Sequence, residues 1–184
     1  MGRKLLNSEL GRLSVEQFHS APKIPVVIVL DNVRSQFNIG AAFRTSDAFA
    51  AQKIYLCGIC ATPPSAEIHK SALGAEFSVD WEHSESTVDV VRKLKEEGYT
   101  VISVEQAEES INLLNLKLPL ADSGDNPASE KYALVFGNEV HGVGQDVVDL
   151  SDHVLEIPQH GTKHSINVSV SIGIVLWEFF RRLL

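Results

Sequence analysis

Basic residues are scarce in this chain: 16 Lys and Arg stand against 24 Asp and Glu in 184 residues, a formal charge of −8. Proteins that grip nucleic acid do so mainly with clustered Lys and Arg set against phosphates, so the total argues against such a partner. Cysteine is nearly absent, with 2 residues. That excludes a disulfide framework, and with no charged-then-apolar leader at the N-terminus it makes a reducing cytoplasm the expected compartment. Long apolar runs are missing too. The most apolar stretch, Ile166 to Phe180, is interrupted by Asn167, Ser169, Ser171, Gly173 and Glu178, and is too short and too polar to span a bilayer. No G-x-G-x-x-G follows the first apolar run, which removes the main support for a Rossmann-type dinucleotide site, and the spacing of Gly137, Gly142 and Gly144 matches neither that fingerprint nor a P-loop. What is present is an ordinary globular composition, 44% hydrophobic and 22% charged, at about the length of one domain.

The charge is unevenly placed. Residues 1–75 hold 8 basic and 5 acidic side chains, whereas residues 76–184 hold 8 basic and 19 acidic ones. The first part, with Arg3, Lys4, Arg12, Lys23, Arg34 and Arg44, can therefore still face a polyanion.

Apolar patterning predicts an α/β protein with a mainly parallel sheet. Residues 1–23 form a short helical arm with Leu5, Leu6, Leu10, Leu13 and Phe18 as packing positions and Ser14 to Gln17 as a capping box. Ile24 to Leu30 is a continuous β-branched run, the mark of a strand covered on both faces. A helix is expected from Asn38 to Ala48, and a second buried strand over Lys53 to Ile59. After a loop with Pro63-Pro64 comes an alternating segment, Phe77 to Trp81, then a helix over Ser84 to Glu97 closed by Gly98. Tyr99 to Val104, Tyr132 to Phe136 and Val154 to Ile157 read as strands, with 121–129 as an exposed polar loop. A last helix, from about Ser165 to Arg182, is apolar almost all round and must be buried in the core or against a second subunit.

Two motifs suggest chemistry weakly. Cys57-Gly-Ile-Cys60 lacks the second pair that a zinc site wants, and its cysteines fall in or just after an apolar strand, as small buried hydrophobes do. His160 and His164 could share a helix face, but Gly161 between them disfavours a helix there, so no metal is expected.

The informative segments are three polar stretches that each follow a buried strand, where ligands of open α/β sheets bind. Taken singly, the first is a helix capped by Asn38 with a solvated Arg44 off the face formed by Ile39, Ala42 and Phe43. Taken together, Asn32-x-Arg34-x-x-x-Asn38-x-Gly40-x-x-x-Arg44, Phe136-Gly137-Asn138-Glu139-x-x-Gly142, and Ile157-Pro158-x-x-Gly161-x-x-x-Ser165-x-Asn167-Val168-Ser169 resemble, in order and spacing, the three motifs of the SpoU (TrmH-like) RNA ribose 2′-O-methyltransferases of the SPOUT superfamily. Lys70-Ser-Ala-Leu-Gly-Ala75 is similar to the family's segment between the first two motifs. Ile166 stands where Leu is commoner, and Val170-Ser171 where Ala is frequent; neither change removes a chemical group.

The resemblance implies a domain over 24–184 with a C-terminal deep trefoil knot that forms an S-adenosylmethionine site, in a homodimer built on the last helix and the first helical region. It implies methyl transfer to an RNA ribose, with tRNA ahead of rRNA, and no membrane or metal. Arg44 would contact the target phosphate and activate the 2′-hydroxyl, Asn38 would orient it, and Glu139, Ser165 and Asn167 would organise the catalytic loop and acceptor. Val104, Glu105, Gly137, Ile157 and Ile166 would hold the cofactor, and Asn32, Arg34 and Arg44 the RNA. The alternative is a dimeric RNA- or nucleotide-binding module of the same fold without catalysis, whose expected mark is loss of Arg44, Asn167 or Glu139; all are present.

Overall fold

The computed structural model describes residues 2–120 and 130–184; the expected loop at 121–129 lies outside the described residues. The chain runs α1 (Val15–Ser20), β1 (Ile24–Asp31), α2 (Gln36–Ala48), β2 (Ala51–Cys57), α3 (Ala66–Ala72), α4 (Ala75–Ser78), β3 (Trp81–Ser84), α5 (Thr87–Glu96), β4 (Tyr99–Val104), β5 (Ile111–Asn112), β6 (Lys131–Phe136), α6 (Gln145–Leu150), β7 (His153–Glu156) and α7 (Val168–Leu183). Among the described residues the strands form one sheet of seven in the order β3-β2-β1-β6-β4-β7-β5, with every pairing parallel.

Both faces of the sheet are covered, as the unbroken apolar run of β1 predicts. Val26, Ile28 and Leu30 share one core with Ile39 and Phe43 of α2 and with Ile172, Val175 and Phe179 of α7. Val27 and Val29 point to the opposite core, with Val91 and Leu94 of α5 and Val147 of α6. The Tyr132 and Phe179 rings meet edge to face at 5.1 Å between centroids, locking α7 over β6.

Several expectations need correction. The cap of α2 is Ser35, whose hydroxyl accepts from the Asn38 amide at 3.3 Å, so Asn38 lies inside the helix and is buried. The alternating segment before Trp81 is the short helix α4, and the strand begins only at Trp81. The helix expected from Ser84 begins at Thr87 with Ser86 as cap, because Ser84 is the last residue of β3. The capping box of Ser14 and Gln17 forms, but the arm before it does not pack: Leu5, Leu6, Leu10 and Leu13 are all exposed, and only Phe18 is buried. α7 starts at Val168, leaving Ser165 and Ile166 in the segment ahead of it. It buries Ile172, Val175, Leu176 and Phe179, while Val170, Ile174 and Trp177 remain partly exposed, so within this chain the helix is covered on one side only.

The cysteines behave as packing residues. Both are buried and unpaired, and loss of hydration pushes their thiols up, Cys57 to about 12 and Cys60 to about 11.

Candidate active site

The carboxyl ends of β4, β6 and β7 lie side by side, since Val104 pairs with Phe136 on one flank and Leu155 on the other. The segments that follow these strands wall a cleft of about 520 Å³. All five residues expected to hold a cofactor, Val104, Glu105, Gly137, Ile157 and Ile166, line it, as do Glu139, Ser165 and Asn167. A wider groove of about 620 Å³, lined by Pro63, Pro64, Phe77 and Trp81 among others, touches none of these residues.

The segment after β6 is shaped by close backbone approach. Asn138 and Gly142 exchange backbone hydrogen bonds of 3.1 and 3.0 Å, and the Asn138 side-chain oxygen accepts from the amides of Val140 and His141 at 3.0 and 2.9 Å. Gly142 takes φ +68°, and a side chain there would strike the Glu105 carboxylate. That carboxylate accepts from the Val143 amide at 3.0 Å and the Gln106 amide at 2.8 Å, so Glu105 shapes the cleft by joining the segments after β4 and β6. Gln106 donates its side-chain amide to the His164 carbonyl at 2.7 Å, drawing in the segment before α7.

The three motifs meet in one hydrogen-bonded chain. Asn167, which caps α7 through Ser169, donates its side-chain amide to the Asn38 side-chain oxygen at 3.3 Å. Asn38 donates to a Glu139 carboxylate oxygen at 2.9 Å. The same carboxylate accepts from the backbone amides of Arg34 and Ser35 at 3.4 and 3.3 Å, so it fixes the entry to α2. Partial burial opposes ionisation of Glu139, but hydrogen bonds from its own amide, the Asn38 side chain and the amides of Arg34 and Ser35 outweigh it and hold the carboxyl below its ordinary range.

A depressed native pKa means that the unfolded chain takes up the proton first as pH falls. The contribution is complete above the ordinary glutamate range and is lost as pH drops through the native value. Glu139→Gln is expected to cost about 1 kcal/mol at neutral pH, with the gap to the parent closing in acid. Urea unfolding of both proteins across that range checks it, and a gap that widens in acid contradicts it.

Not every expected residue reaches the cleft. Asn32 stands at φ 54°, a conformation asparagine tolerates, with its side chain engaged internally: Nδ2 donates to Asp31 at 2.9 Å and Oδ1 accepts from the Ile59 amide at 3.2 Å. It braces the turn after β1. Arg34 is exposed beside Glu139, and Arg44 is exposed on the outer face of α2, off the cleft lining. Asp31, which none of the three motifs includes, also shapes the site. This buried carboxylate closes β1 and accepts from the Thr87 hydroxyl at 2.6 Å and the Gly144 amide at 2.9 Å, fastening α5 and α6 to the site's edge. An acid ending an otherwise apolar strand was the available signal, because a buried carboxylate needs such donors.

With this geometry fixed, similarity to known proteins becomes informative. The profile of the SpoU rRNA Methylase family matches residues 25–177. The chain belongs to the SpoU family. It is 29% identical over 160 residues to a tRNA (guanosine(18)-2′-O)-methyltransferase of Aquifex aeolicus, covering 85% of this chain and 69% of that one. It is 32% identical over 158 residues to a 23S rRNA (guanosine-2′-O-)-methyltransferase RlmB of Nitrosomonas europaea, covering 85% of this chain and 56% of that one. A crystal structure of an AdoMet-bound rRNA methyltransferase from Sinorhizobium meliloti superposes with a TM-score of 0.76 at 27% identity, over 91% of this chain and 60% of that chain. The SpoU chain described here thus spans little more than half to about two thirds of the length of these relatives.

Proposed function

We propose that this SpoU protein transfers a methyl group from S-adenosylmethionine to a ribose 2′-hydroxyl of RNA. The observation that carries this reading is the chain Asn167–Asn38–Glu139, which joins residues of all three motifs beside the cleft beyond β4, β6 and β7. The names of the Aquifex and Nitrosomonas relatives support the reaction, and the AdoMet-bound relative supports the cofactor.

The cleft fits that cofactor chemically. Among the described residues its lining includes Glu105 and Glu139 but no Lys or Arg, a poor setting for a polyphosphate and a good one for a sulfonium cation. When bound, S-adenosylmethionine supplies an electrophilic methyl group. Val104, Glu105, Gly137, Ile157 and Ile166 would hold it, largely through backbone groups of the segments that follow β4, β6 and β7. In-line displacement requires the acceptor oxygen to be aimed at that methyl, so positioning does most of the work. Asn38, fixed between Glu139 and Asn167, orients the ribose, with Ser165 at the rim. Arg44 clamps a phosphate. Its guanidinium is permanently protonated, so it lowers the hydroxyl's pKa, and the proton leaves to phosphate or water. Arg34 and the turn braced by Asn32 present the RNA side.

The segment between β7 and α7 is tied to the segment after β4 through Gln106 and to α2 through Asn38 before α7 packs in the first core; these ties support a trefoil knot. The partly exposed stripe Val170, Ile174 and Trp177 on α7, at one-turn spacing, supports a homodimer in which motif-one residues of a second copy complete each site. Among the described residues no helix is long and apolar enough to cross a membrane.

The test is methyl transfer from labelled S-adenosylmethionine to purified tRNA and rRNA, with mapping of the 2′-O-methylated position. Incorporation into tRNA ahead of rRNA is expected. No incorporation into either RNA overturns the assignment.

A further inference from the structure

Phe37 is in the first turn of α2 and 65% exposed, and it belongs to neither core cluster. Its backbone is well held, since the Phe37 carbonyl accepts from the Ser71 hydroxyl at 3.0 Å. The ring is therefore presented to solvent by an anchored residue. Its chain neighbour Asn38 turns the other way, into the hydrogen bonds to Glu139 and Asn167.

Four and seven residues on, Ala41 and Arg44 lie on the same face of α2 as Phe37. Arg44 is exposed and has no hydrogen bond or ion pair among the described residues. Phe37 and Arg44 are about 10 Å apart along the helix axis. Both side chains lean toward the N-terminus, and the longer Arg44 side chain can span the turn over the small Ala41 toward the ring. An aromatic face, a shallow floor and an unpaired cation in one line match a single nucleotide, with the base on the ring and the phosphate on the guanidinium.

We infer that Phe37 is the stacking platform for an RNA base next to the methylated ribose. The inference rests on the proposed RNA 2′-O-methyltransferase function and adds a positioning residue to it. Stacking favours no particular base, since every base has a π face, so Phe37 sets where the strand lies rather than which sequence is chosen.

The test compares the full chain with Phe37→Leu, which keeps apolar bulk without an aromatic face, and Phe37→Trp, which restores one. Readouts are KM and kcat for RNA methylation, calorimetry with S-adenosylmethionine, and the mass in solution by sedimentation. Phe37→Leu should raise KM for RNA about tenfold, with the loss falling on KM rather than kcat, and Phe37→Trp should recover it. Cofactor affinity and mass should stay at parental values. An unchanged KM in Phe37→Leu overturns the stacking role, as does a drop in mass, which would place Phe37 under a second copy of the chain. Failure of the parent protein to methylate any RNA instead removes the functional reading itself.

Discussion

Arg44→Ala should lower methyl transfer to RNA by about 100- to 1000-fold while leaving S-adenosylmethionine affinity within about twofold of the parent. The two effects separate because Arg44 is on the outer face of α2 and does not line the cleft. On the proposed reading its removal takes away charge on the acceptor side and no lining residue of the cleft. Folding should be unaffected, since the side chain is solvated and unpaired among the described residues. Arg44→Lys separates the possible roles further. It keeps the charge but loses the planar fork that meets a phosphate through two bonds, so a phosphate clamp predicts intermediate activity. Calorimetry with the cofactor and a single-turnover methylation assay provide the measurements. Parental activity in Arg44→Ala would remove Arg44 from the site, and a parallel loss of cofactor affinity would mean that it acts through the cleft.

Much of this architecture is legible in the residues because burial imposes patterns on them. Ile24 to Leu30 has no polar alternation, and β1 is covered on both faces. Tyr99–Val104 forms as expected, because a short apolar run after a helix-ending glycine has few other uses. Misreadings arose where a local signal competed with a tertiary one. Asn38 has the chemistry of a cap, but Ser35 does the capping, and the Asn38 side chain bonds residues more than 100 positions away. The short helices of 66–78 owe their form to packing against α2, which no local period announces. The two-residue strand β5 is too brief to leave a pattern. At the site the motifs named residues that the fold brings to one cleft, Glu139, Ser165 and Asn167 among them. What the sequence withheld was that Asn32 braces a turn, that Glu105 ties two segments together, and that Asp31 anchors the edge. Each depends on which backbone amides come within reach.

Gly137→Ala tests that backbone geometry most sharply. The added methyl would be 1.8 Å from the Gly142 carbonyl carbon and 2.0 Å from the Val143 nitrogen, so it meets backbone rather than a yielding side chain. Those atoms have little room to retreat. Gly142 exchanges hydrogen bonds with Asn138, the Val143 amide donates to Glu105 at 3.0 Å, and the Gly144 amide donates to Asp31 at 2.9 Å. Relief requires opening the bridge between Asn138 and Gly142, and that displaces Glu139 from Asn38 as well as the cleft wall. Overpacking of this kind costs about 1–3 kcal/mol, and a comparable loss in cofactor binding is a fall of roughly 5- to 150-fold. The melting temperature should drop by several degrees at the same time. Gly161→Ala is the control, because its added methyl meets nothing within 4 Å, and it should bind S-adenosylmethionine like the parent. Calorimetry and thermal unfolding of the two variants decide the matter. Parental affinity in Gly137→Ala would show that the segment after β6 adapts without cost and that its close approach to Gly142 does not shape the cofactor site.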